Sequence, residues 1–169
     1  MTYTLRTKSV DDTRAVGGAV STLARPGDLL LLAGELGAGK TAFVQGFGGG
    51  LGITEPITSP TFVLARDYDD GRLPLHHLDV YRLDHMNEVY DIGLPEILDD
   101  AGVTLIEWGD AIMPSLPSDF LEVRLTFGAD DDERTILVRA LGPAWTARHR
   151  ALGLALAEWV APEDGVTEC

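Results

Sequence analysis

Leu29–Gly46, LLLLAGELGAGKTAFVQG, passes from four leucines through a glycine-rich turn to a run compatible with helix. Leu29–Ala33 is short and continuously apolar, as expected of a strand buried on both faces. Gly34–Thr41, GELGAGKT, satisfies G-x-x-x-x-G-K-[ST] in full, between a strand and a helix expected from about Gly39 to Phe47. Each residue type has a chemical reason. The glycines let backbone N–H groups wrap an anion, and the following helix turns its positive end toward the same charge. Lys40, one of only two lysines in the chain, supplies a mobile point charge for β and γ phosphates. The Thr41 hydroxyl suits magnesium. A glycine turn carrying a surface lysine is the plainer alternative, and the strand–turn–helix context argues against it. Guanine is generally read through N-K-x-D. Neither Lys8 nor Lys40 sits in such an element, so the expected nucleotide is ATP.

Outward from this loop the pattern is α/β. Thr2–Thr7 alternates as a strand, and Ser9 followed by Asp12 signals a helix start, with a helix from about Asp11 to Ala24. GGGLG at 48–52 is expected to end the loop's helix. Strands are expected at Phe62–Tyr68, within Leu73–Leu83 and at Val103–Trp108, and helix at 87–101. FLEVRLTF and RTILVRAL around GADDDE predict an antiparallel hairpin. Pro143–Val160 is expected to form one long helix with Trp145 and Trp159 on a shared face, and the tail from 161 to be frayed.

Two acids stand where phosphate chemistry needs a carboxylate at a strand end: Glu107, closing VTLIE, and Asp79, in HHLDVYR. A solvated strand-end acid is the alternative for each. Thr61 in SPTF could sense the γ-phosphate, although the residues alone favour an ordinary turn before a strand. His76 and His77 face opposite sides of a strand, which does not suit a shared metal, and His77 is expected to pack or hydrogen-bond.

The 169 residues suit one domain, here 1–160 with a tail at 161–169. No apolar run would span a membrane, and the N-terminus has no secretory apolar core. The single cysteine, Cys169, makes a reducing, cytoplasmic setting the simplest expectation. A net charge of −14 repels phosphate backbones, so any service to RNA is expected through a more basic partner.

GELGAGKT, SPTF, HLDVYR and LIEW, in this order and spacing across roughly residues 9 to 141, resemble the TsaE (YjeE) family. That family comprises the small P-loop ATPases of bacterial tRNA threonylcarbamoyladenosine biosynthesis. The resemblance implies a single P-loop NTPase-like α/β domain with a central mixed sheet flanked by helices. It implies an ATP- and Mg2+-dependent ATPase that supports the TsaB–TsaD pair, with tRNA held through that complex. It also implies that the chain is not itself the transferase. Carried over by position, Glu35, Leu36, Gly37, Ala38, Gly39, Lys40 and Thr41 bind phosphates, and Thr41 with Glu107 holds magnesium. Asp79 resembles the second essential acid and Thr61 the switch. Asp11, Thr13 and Arg134 match positions near the nucleotide. Ala42 and the glycine-rich GFGGGLG depart from the usual pattern without touching the four motifs. Two other classes compete. A small-molecule kinase would want an arginine-rich lid, which the scattered arginines do not supply. A nucleotide-gated binding module would not need both acids.

Overall fold

A computed structural model describes residues 1–59, 65–80, 93–107 and 116–162. Among these are seven strands and five short α-helices. The strands are β1 (Thr2–Thr7), β2 (Leu29–Gly34), β3 (Ala65–Tyr68), β4 (Leu75–Asp79), β5 (Val103–Glu107), β6 (Phe120–Phe127) and β7 (Arg134–Leu141). The helices are α1 (Val10–Ser21), α2 (Lys40–Gly50), α3 (Leu94–Asp99), α4 (Pro143–Ala147) and α5 (His149–Leu156).

One sheet runs β1-β7-β6-β2-β5-β4-β3. Its centre, β6, β2, β5 and β4, is parallel. The hairpin return β7 and the edge strand β3 are antiparallel to their neighbours, so the sheet is mixed. β2 lies in the middle with Leu29–Ala33 all buried, which is why its sequence shows no polar alternation. Leu30, Leu32, Leu105 and Val123 face a large core shared with α1, α2 and α5. Leu29, Leu31, Leu78 and Ile106 face a smaller one that includes Leu94 of α3. Each such leucine contributes about 2 kcal/mol by leaving water.

The Ser9 signal works as expected: its hydroxyl accepts from Asp12 N at 3.0 Å. The Asp12 carboxylate reaches back to Lys8 N at 3.0 Å, one residue before the cap.

Two expectations change. α2 runs three residues past Phe47, to Gly50, before GGGLG ends it as expected, with Leu51 as its C-cap and Gly52 at φ 84°. Glycines elsewhere on the two helices serve close packing. A β-carbon on Gly46 would collide with the Arg14 backbone, and one on Gly17 with the Phe43 carbonyl. The burial of two helices against each other outweighs the roughly 1 kcal/mol helix penalty of each glycine.

The C-terminal segment is not one helix. It breaks at Arg148 (φ −98°, ψ 5°) into α4 and α5, followed by a 3-10 turn at Ala157–Trp159. Arg148 is buried and bonds both oxygens of Asp28 at 2.7 Å. It also donates to the Leu23 and Ala144 carbonyls and lies 3.9 Å from the Trp145 ring centre. Satisfying a buried guanidinium requires that geometry, and helix continuity yields to it. Trp145 and Trp159 still pack on the same core. Pro60, Thr61, Tyr81, Arg82, Trp108 and the tail from 163 lie outside the described residues.

Candidate nucleotide site

β2, β5 and β4 end side by side, because the parallel register sets Leu32 opposite Glu107 and Glu107 opposite Asp79. Ligands of parallel sheets bind beyond these carboxyl ends. The chain leaves β2 at Gly34, turns through Glu35–Gly39 and enters α2 at Lys40. Ala38 N donates to Glu35 O at 3.0 Å and closes the turn. Gly39 caps the helix at φ 107°, a backbone state that side-chain-bearing residues rarely adopt. Glu35, Leu36 and Gly37 stand in solvent at the crest, while Ala38 is buried beneath it.

Lys40 is only 6 % exposed. Its Nζ donates to Gly34 O at 2.5 Å and to Glu35 O at 3.3 Å, so the lysine folds back under the loop. Desolvation by burial lowers its pKa, and the charges of Glu107 and Asp79 pull it back upward. The two acids proposed from separate strands therefore share one electrostatic site with the loop lysine. Thr41, the second residue of α2, is half-buried.

Glu107 is 2 % exposed, and its Oε1 lies 3.2 Å from His77 Nε2. The pair is close but not aligned as a hydrogen bond, which leaves Glu107 Oε1 and both His77 ring nitrogens without such a bond among the described residues. A buried carboxylate oxygen with unused acceptor capacity beside a threonine-bearing helix start fits a hard cation such as magnesium. Magnesium usually takes only one or two protein ligands when it also holds phosphates. No group of three His, Cys, Asp or Glu side chains converges on a metal cage among the described residues.

Arg134 reaches the loop from β7. Its Nε donates to Ala38 O at 3.1 Å and its Nη2 to Gly37 O at 3.4 Å, while its guanidinium lies 4.7 Å from the centre of the Phe127 ring. Thr13 adjoins the loop differently: its methyl faces Gly39, and its hydroxyl lies 3.1 Å from that of Thr7. Asp11 is exposed and accepts from Arg14 Nη1 at 2.9 Å, outside the loop's own contacts. A cleft of about 500 Å³ opens beside the loop, lined by Ala33, Gly34, Glu35, Arg124, Thr126 and Phe127.

Sequence reasoning did not assign His77 to this site. Its signal was present, since His77 and Asp79 alternate onto one strand face, but only the register with β5 brings His77 to Glu107. Phe127 had no signal beyond its place at a strand end.

The whole arrangement has known counterparts. The family described as threonylcarbamoyl adenosine biosynthesis protein TsaE matches residues 7–136. The tRNA threonylcarbamoyladenosine biosynthesis protein TsaE of Bacillus subtilis is 45 % identical over 137 residues, covering 81 % of this chain and 85 % of that protein. The protein of the same name from Treponema pallidum is 45 % identical over 123 residues, covering 73 % and 90 %. The crystal structure of Bacillus subtilis YdiB superposes with a TM-score of 0.77 at 37 % identity, covering 94 % of this chain and 95 % of that one. With the phosphate loop, the strand-end acids and the mixed sheet all in place, this chain belongs to the TsaE family, whose role is in tRNA threonylcarbamoyladenosine biosynthesis.

Proposed function

We propose that the chain binds and slowly hydrolyses ATP with magnesium, as an accessory ATPase to TsaB and TsaD in the cytoplasm. On this reading tRNA is engaged through that complex, and the chain is not the transferase. The observation that carries the reading is the convergence of Lys40, Asp79 and Glu107 at one loop, drawn from α2, β4 and β5. A loop that only gated binding would have no use for two acids beside its lysine.

In this reading the Glu35–Thr41 backbone cradles the phosphates. Lys40 exchanges the Gly34 and Glu35 carbonyls for phosphate oxygens and offsets charge building on the leaving phosphate. Thr41 and Glu107 would hold magnesium, which when bound would neutralise phosphate charge. Asp79, less buried than Glu107, orients the attacking water toward the γ-phosphorus. His77 packs beside the Glu107 carboxylate, 3.2 Å from its Oε1. Arg134 steadies the loop through Ala38 and Gly37. Thr61 is assigned to γ-phosphate sensing on sequence alone.

The test is the ATP hydrolysis rate of the purified chain, alone and with its TsaB–TsaD pair, for wild type, Lys40→Ala and Glu107→Gln. A slow rate altered by the pair and lost in Lys40→Ala is expected. Glu107→Gln should keep nucleotide binding and lose about 100-fold or more in rate, as removing a charge-stabilising group does. Undiminished hydrolysis in both variants would sink the assignment.

A further inference from the structure

The two faces of the sheet are not equally covered. α1, α2 and α5 close the first face. On the second face the smaller core lies against β2, β4 and β5, and at the β1–β7 end no described helix covers the sheet, with Thr4, Arg6 and Arg139 exposed. The cross-strand register puts Thr4 opposite Leu137, Leu137 opposite Arg124, and Arg139 opposite Glu122. Glu122 is buried. One carboxylate oxygen meets Arg124 Nη2 at 2.9 Å, and the other meets Arg139 Nη2 at 2.6 Å. The only acid among the strand residues of this open face is thus already matched by two arginines, and Arg6 adds a third cation one strand away. Arg6 has no acidic partner among the described residues.

A cationic, flat sheet face on a chain of net charge −14 is a local inversion of the molecule's field. Arginines held in place by a buried carboxylate keep their orientation at little further entropic cost, and arginine is enriched where protein interfaces concentrate binding energy. Nucleic acid would bring many phosphates, and the remaining surface of this acidic chain repels a polyanion. A protein brings a few carboxylates and apolar groups, which match the exposed Arg6 and Arg139 set around Leu137 and the threonine methyls.

We propose that the open β1–β7–β6 face is a docking surface for an acidic segment of a partner protein. Resting on the function proposed above, that partner is the TsaB–TsaD pair. The surface runs into the cleft lined by Arg124, Gly34 and Glu35. A partner seated there touches the back of the phosphate loop, so docking and nucleotide state are physically joined.

The test uses Thr2→Glu combined with Arg6→Glu, which reverses the field of β1 and leaves the Glu122 pairs intact, and separately Arg139→Gln. Affinity for the TsaB–TsaD pair is measured at about 50 and about 300 mM salt, where screening differs strongly. Affinity for a fluorescent ATP analogue and for tRNA is measured on the same proteins. The double variant should bind the pair roughly tenfold or more weakly at low salt, with a flatter salt dependence and unchanged ATP-analogue affinity. Arg139→Gln should show a smaller loss in the same direction. Wild-type affinity for the pair in the double variant overturns the surface. So does a variant that loses tRNA binding while keeping the pair, because the face would then serve RNA. A wild-type chain that ignores the pair altogether overturns the partnership itself, and the docking proposal with it.

Discussion

At the scale of single residues the site turns on one buried ammonium. Lys40 pays a desolvation penalty that its two acids only partly offset, so its pKa lies below the ordinary 10.5. The sign of the consequence follows. The unfolded chain holds this proton to higher pH than the folded chain, so stability rises with pH between the folded and unfolded pKa values. An anion in the loop would favour the charged lysine and raise its pKa, so under the proposed function nucleotide binding would take up protons in that same window. Titration calorimetry at about pH 9.5, just below the ordinary lysine range, in two buffers of different ionisation enthalpy should show net proton uptake. No uptake would mean that Lys40 does not meet the phosphates. The residue scale is also where sequence was most informative about the site. Lys40, Thr41, Asp79 and Glu107 were each singled out by type and by place at a strand end or helix start. His77 was not, because its significance depends on a neighbour thirty residues away in sequence.

Elements show why composition alone misleads. Within GFGGGLG, Gly46 and Gly50 are a contact face of α2 against α1, while Gly52, at φ 84°, follows the helix end. Gly46→Ala removes a helix penalty of about 1 kcal/mol but drives a methyl into the Arg14 backbone, and overpacking of this kind costs about 1–3 kcal/mol. The clash is with backbone and not with a flexible side-chain tip, so the cost should dominate. Thermal denaturation should show a lower midpoint, and ATP hydrolysis should fall with it because α2 carries Lys40 and Thr41. A rise in the midpoint would mean that the two helices can separate without loss. The break at Arg148 follows the same logic. The 143–160 run has the periodicity of one helix, and a single buried ion pair redirects it.

On the scale of the whole molecule, that ion pair ties the C-terminal helices to the turn before β2. Arg148→Ala strands Asp28, a buried carboxylate, and losing one member of a buried pair costs about 3–5 kcal/mol. The urea midpoint should drop accordingly, and a change below about 1 kcal/mol would show that Asp28 finds water instead. The loop, strand–turn–helix order and the hairpin were legible in the sequence because each is made by neighbours in the chain. Local hydrophobic period, turn chemistry and glycine placement are enough to specify them. The sequence also determined the family, since four short motifs in a set order carry the resemblance. Beyond the β6–β7 hairpin, the tertiary structure alone decided which strands lie side by side. From that order come the meeting of Asp79 and Glu107 at Lys40, the reach of Arg134 to the loop, and the open cationic face of β1, β7 and β6. These depend on register and burial between segments far apart in sequence, where competing long-range packing energies, not local preference, choose the arrangement.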